Sequence, residues 1–317
     1  MSLKFYVCAA LAAFSLSAFS QNATEHYVEK IVIPYSAGGI TDLYGRLLAS
    51  KLSVIQGKPV IADNKPGGGA SIGSASVANG PADGKTILLG SVGSATNPYM
   101  IRQLSYKPEN LRPIAKVASS PLILFVRSGL PGDLNKLLEY ASTPKGQLSF
   151  GNSGAGSSPN LAAALFAKEN GLKVTHVNYR GTSAAMNDLL SGQLDGYFDT
   201  AQAMRYVETG KIHPIAVASS KRIELAPDVP TFAELGKKNI EAESWWGIFV
   251  QKNTSEDFVS KINESLKSIV QSDEVKQQAK EMGAIADYKD EAQFKKFFVN
   301  EGNRWGAIIK EEKLTSE

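Results

Sequence analysis

Ile31-Val32-Ile33-Pro34-Tyr35-Ser36-Ala37-Gly38-Gly39-Ile40-Thr41-Asp42 reads as a short buried strand, a turn with two glycines, and the start of a helix. Ile31, Val32 and Ile33 form the β-branched apolar run expected of a covered parallel strand. Pro34 ends it, having no N–H for the ladder. Gly38 and Gly39 accept backbone angles that other residues resist and let a ligand approach the main chain. Thr41 is expected to cap the following helix, with Asp42 in its first turn. A strand that runs through a glycine turn into a helix start presents free N–H groups and the positive end of a helix dipole. That is an anion site, and the anion need not be a phosphate.

Working outward, the 317 residues suffice for two domains or one large domain with two lobes. Apolar residues make up 43% and charged residues 21%, ordinary for a soluble globular protein. A net charge of +3 without a basic block argues against nucleic acid as a partner. Residues 1–20 have the pattern of a signal peptide: Lys4, an apolar core from Phe5 to Phe14, and small residues at Ala18 and Ser20 before Gln21. The apolar run falls short of the roughly 20 residues a membrane span needs. Cleavage there removes Cys8, the single cysteine, and with it disulfides, thiol catalysis and cysteine metal sites.

Beyond the opening stretch a helix is expected from Asp42 to Ile55, with Leu43, Leu47, Leu48, Leu52 and Ile55 at helical spacing. Pro59–Ala62 and Thr86–Leu89 read as strands, Ser74–Asn79 as a short helix, and Ser91–Pro98 as a polar loop after a strand end. A second strand–glycine loop–helix unit runs from Leu148 through Gly151-Asn152-Ser153-Gly154-Ala155-Gly156-Ser157-Ser158-Pro159-Asn160, with Ser158 at the N-cap and Pro159 in the first helical position. A third follows the Val174–Tyr179 strand, with Thr182 or Ser183 as cap. Asp195–Asp199 reads as a strand ending in a carboxylate, Leu122–Val126 as the most apolar strand, and the chain beyond Ser255 as mostly helical. Alternating strands and helices make the class α/β.

Several chemistries are excluded by spacing. No Walker sequence is present, and neither Gly67-Gly68-Gly69 nor the Gly151 loop matches a dinucleotide fingerprint. No serine sits in a Gly-x-Ser-x-Gly elbow. His176 and His213 lie in apolar strands, and no histidine–carboxylate cluster has metal-ligand spacing. Asp42 and Asp199 are the only carboxylates near the expected loops, so neither an enzyme, a cofactor nor a metal is expected. What remains are uncharged Gly, Ser, Thr and Asn loops at helix starts, suited to an anionic or strongly polar small molecule.

These motifs, in this order, resemble the Bug proteins, the extracytoplasmic solute receptors of the tripartite tricarboxylate transporter system. The resemblance runs from about residue 28 to 312. Pro34 to Asp42 is similar to the family's Pro-Phe-x-x-Gly-Gly-x-x-Asp loop, and Asp63-Asn64-Lys65-Pro66-Gly67-Gly68-Gly69 through Ile72-Gly73 to its Glu-Asn-Arg-Pro-Gly signature. Pro81 to Thr86, Thr96-Asn97-Pro98, Tyr179-Arg180-Gly181, Asp228 to Thr231 and Ser244-Trp245-Trp246-Gly247 match as well. Asn152 stands where serine is frequent, Asn160 where histidine is common, and Tyr35 in place of phenylalanine; these departures bear on ligand identity.

The resemblance implies a two-lobed periplasmic-binding-protein type II fold, each lobe a mixed sheet flanked by helices, closing on ligand in the cleft. It places one lobe at 27–124 plus 248–317 and the other at 125–247. Tyr35, Ser36, Gly38, Gly39, Thr41, Asp42, Ser91, Gly93, Thr96 and Asn97 would line one wall. Ser153, Gly154, Ser157, Ser158, Asn160, Tyr179, Gly181, Thr182, Ser183 and Asp199 would line the other. It further implies a monomeric periplasmic receptor for a small carboxylate (a di- or tricarboxylate, an aromatic acid or an acidic amino acid), held largely without Arg or Lys and delivered to a membrane permease. Signalling to a membrane partner is the alternative. Asp199 would hold a ligand amine or a bridging water.

Overall fold

The computed structural model describes residues 27–314. The expected signal segment, with Cys8, lies outside the described residues.

The first part of the chain runs β1 (Lys30–Ile33), α1 (Ile40–Gln56), β2 (Ile61–Asn64), α2 (Ser71–Ala78), β3 (Thr86–Gly90), α3 (Val92–Met100) and β4 (Leu111–Pro121). The middle part holds β5 (Ile123–Arg127), α4 (Leu134–Ala141), β6 (Leu148–Asn152), α5 (Ser158–Asn170), β7 (Val174–Asn178), α6 (Thr182–Leu190), β8 (Gly196–Asp199), a 3-10 segment (Ala201–Thr209) and β9 (Ile212–Val217). The last part holds β10 (Glu243–Gln251), α7 (Glu256–Gln271), α8 (Asp273–Glu281), β11 (Ile285–Lys289) and α9 (Glu291–Glu311).

The strands form two mixed sheets, ordered β11-β4-β10-β3-β1-β2 and β7-β6-β8-β5-β9. The opening strand lies between β2 and β3, parallel to both. Ile31, Val32 and Ile33 are fully buried because helices cover both sheet faces. The chain crosses between sheets twice, at Leu122 and between Val217 and Glu243. There the Leu122 N–H donates to the Ala242 carbonyl (3.0 Å), and the Leu122 carbonyl accepts from Ala218 (2.7 Å). The expected divisions at 124/125 and 247/248 therefore fall inside β5 and β10, each of which stays undivided in its own sheet.

Several expectations are corrected. The opening helix begins at Ile40, two residues early, and buries Tyr44, Leu47, Leu48 and Leu52, while Ile55 is exposed. It can pack tightly on its own strand because residue 45 is glycine: a methyl there would stand 2.6 Å from Ile33 Cδ1. Ser91–Pro98 is not a loop but the start of α3, whose small residues allow close packing on α9. The second strand lies at Ile61–Asn64 rather than Pro59–Ala62, and the second helix starts at Ser71. β4 and β11 were not anticipated. β4, eleven residues long, is buried at nearly every position because it is paired on both sides and covered by α7 and α9, so its sequence lacks two-residue alternation.

Candidate functional site: the interlobe cleft

Four helices, α1, α3, α5 and α6, begin at the cleft between the sheets. Their N-cap residues are Gly39, Ser91, Ser157 and Gly181, and none of these makes a side-chain capping bond. The first turn of a helix has N–H groups without intrahelical partners, so each start offers donors and positive potential. The expected caps do other work. Thr41 Oγ1 accepts from Trp246 Nε1 (2.8 Å), and Ser158 Oγ bonds Ser244 Oγ (2.7 Å), a link between the lobes. Ser158 occupies the first helical position and Pro159 the second, one place later than expected. The hydroxyl of Ser157, 2% exposed, has no partner among the described residues.

The lining includes Tyr35, Ser36, Gly39, Thr41 and Ser91 from one lobe, and Ser153, Ser158, Thr182 and Asp199 from the other. All nine were expected from sequence. The cavity measures ≈ 30 Å³, so anything larger than a few waters exchanges only when the lobes part. Tyr35, its hydroxyl 2.8 Å from Ser91 Oγ, is a buried phenol whose ionisation burial pushes up. Asp199 is 4% exposed and accepts the Thr200 N–H at 2.8 Å. Burial is the main cause that raises its carboxyl to about 7. No Lys, Arg or His contributes to this lining.

Other expected residues are brought near the cleft without lining it. Asp42 turns away: its carboxylate accepts from the Gly38 N–H (3.0 Å), Arg46 Nε (3.1 Å) and Asn64 Nδ2 (2.9 Å). Burial pushes that carboxyl up, but these donors outweigh it and hold it below the usual range. Thr96 Oγ1 donates to the Gly156 carbonyl (2.8 Å), and Ser183 Oγ reaches the Ala37 carbonyl (3.5 Å), so both join the lobes. The peptide at Gly181 lies against Ser36, whose N–H and hydroxyl both donate to the Arg180 carbonyl (3.3 and 3.0 Å).

The remaining expected residues build walls. Asn97 Nδ2 donates to the Tyr106 hydroxyl (3.2 Å), and Asn160 Oδ1 accepts the Gly156 N–H (3.0 Å) to set the second glycine loop. Gly93 sits under Gly69, where a methyl would stand 2.8 Å from the Gly69 carbonyl oxygen. Gly154 and Tyr179 line an outer groove together with Gly67–Ile72, and the Tyr179 hydroxyl donates to Asp188 (2.5 Å). Sequence reasoning did not select Ile40, Pro159, Thr200, Ser244 or Trp246, which also line the cavity. The Ser244-Trp245-Trp246 motif carried a signal for two of these.

Two mixed sheets flanked by helices, with a cleft between them, form this fold. The sequence description "Tripartite tricarboxylate transporter family receptor" matches residues 45–314. The chain belongs to this family. Its members are solute-binding receptors, not enzymes. The chain is similar to the periplasmic binding protein BugD, at 29% identity and a TM-score of 0.85 over 92% of this chain and 99% of that one. An R. palustris structure with adipate shares 28% identity and a TM-score of 0.86 over 90% of this chain and 97% of that one. MatC from Rhodopseudomonas palustris, with bound malate, shares 26% identity and a TM-score of 0.83 over 89% and 99%.

Proposed function

We propose that this family member is a periplasmic receptor that closes around a small carboxylate and delivers it to a membrane permease of the tripartite tricarboxylate transporter type. The observation that carries this reading is the convergence of four helix starts, none capped by a side chain, on a lining without Lys, Arg or His. Helix N-termini favour anions, and their N–H groups donate well to carboxylate oxygens. Two relatives whose structures hold adipate and malate support the ligand class. Export through cleavage after Ser20 completes the reading, and an exported chain beginning at Gln21 is the expected product.

A thermal-shift screen with adipate, malate, citrate, benzoate and glutamate tests it. A ligand at a hundred times its Kd stabilises by about 2.7 kcal/mol, a clear rise in melting temperature. If none of these acids shifts the transition, the carboxylate reading is wrong. Uptake of the binding acid should then require both this chain and the permease.

A further inference from the structure

Asp199 ends β8 inside the cleft, and no ion pair to it is seen among the described residues. Its strand partner is Ile123 on β5, and two residues earlier on β8 Tyr197 pairs with Gly151 on β6. α5 presents Ser158 and Pro159 to the cavity, α6 presents Thr182, and the loop after β1 presents Tyr35 and Ser36. The titratable groups facing it are Tyr35 and Tyr197, both buried phenols whose ionisation is pushed up mainly by burial. Arg205, on the 3-10 segment after β8, acts on it only through space. Among the described residues, then, an almost fully buried carboxylate shares a small cavity with four helix starts that draw in anions.

Two carboxylates confined together in a poorly solvated site do not both stay ionised. Asp199 lines the same cavity as the starts of α1, α3, α5 and α6, so a ligand held by those starts lies beside it. We propose that Asp199 meets the ligand as a neutral acid and donates a hydrogen bond to a ligand carboxylate, so that capture of a dianion takes up one proton. This rests on the carboxylate reading above. Burial already raises the free carboxyl to about 7, and an anion beside it acts in the same direction. Below that pH the proton is already in place and affinity is flat. Above it each bound dianion must bring a proton, and affinity falls by up to about tenfold per pH unit. A ligand ammonium would instead pair with the ionised carboxylate, with no proton taken up.

Titration calorimetry with adipate and malate, at about pH 6 and about pH 8 in buffers of different ionisation heat, counts the protons directly. The expected result is uptake approaching one proton per ligand at the higher pH, with weaker binding there. Asp199→Asn should lose both the uptake and the pH dependence, and Asp199→Leu, which cannot donate, should bind more weakly at both pH values. An acid that binds without proton uptake, or glutamate bound far more tightly than adipate through an ionised Asp199, overturns the inference and leaves the carboxylate reading standing. Failure of every acid in the screen removes both.

Discussion

Setting aside α2, whose start at Ala70 has no side-chain cap, the other eight α-helices among the described residues start in two ways, and the difference follows position. Away from the cleft, Asp133, Ser255, Ser272 and Asp290 each cap their helix, accepting an N–H of the first turn on the side chain. At the cleft, the helices after Gly39, Ser91, Ser157 and Gly181 have no such cap. A side-chain cap is worth about 1 kcal/mol. The outer helices use that stabilisation locally, whereas the cleft helices leave the same donors for an anion. The two aspartates repeat the contrast. Asp42 is fixed in the scaffold by three donors, while Asp199 waits in the cavity with a backbone N–H for company.

Substitutions can break this contrast, and the largest effect is expected at the lobe contact. In Gly69→Ala the new methyl would overlap the Ala155 carbonyl oxygen across the cleft, and residue 69 has a left-handed φ of 59°. Overpacking of about 1–3 kcal/mol that falls on the closed form alone weakens ligand binding roughly 5- to 150-fold. Calorimetry should show this with a smaller change in the ligand-free melting temperature; an unchanged Kd would mean that the closed form does not require this contact.

Asp42→Asn comes next, with an expected stability loss of about 1–3 kcal/mol near neutral pH from broken charge-assisted bonds. The folded-state pKa of Asp42 is depressed, so its contribution is present above the unfolded value and disappears as pH falls. The wild-type and variant melting curves should therefore converge in acid. Asp199 runs the other way. Its raised pKa makes the folded state bind more protons than the unfolded one, so it weakens the fold as pH rises towards about 7. Asp199→Asn should melt above wild type at about pH 8, with the gap closing in acid.

The smallest effects sharpen the comparison of caps. Asp290→Ala removes a capping box and should cost about 1 kcal/mol with no change in ligand affinity. Ser157→Ala removes a buried hydroxyl that caps nothing and has no partner among the described residues, so denaturation should shift less than for Asp290→Ala. A Ser157→Ala loss as large as that of Asp290→Ala would mean that its hydroxyl caps α5 after all.

Much of this was legible in the chain. The run from Ile31 to Asp42 announced its strand, turn and helix because burial on both faces and paired glycines leave plain marks. Hydroxyl residues at helix starts were also visible, but their use was not. Thr41 and Ser158 look like caps in sequence, and only the return of β10 to the first sheet, with Trp246 and Ser244, shows what they bond. Asp42 and Asp199 are alike as letters; the neighbours that separate them, Asn64 and the cavity wall, are distant in sequence. β4 escaped notice because a strand covered on both faces has no alternation to read, and Ser91–Pro98 because small polar residues pack as a helix only against a specific partner.

The place of β10 has a consequence for how the protein is assembled. β10 lies between β3 and β4, pairing with both, yet it is reached only after the whole second sheet has been traversed. Until residues 243–251 arrive, β3 and β4 lack the strand that joins them, and the first sheet remains in two pieces. The second sheet, by contrast, is complete in sequence by Val217. A chain that emerges from its N-terminus can therefore finish its middle before its beginning, and the opening strand joins a whole sheet only when the chain returns.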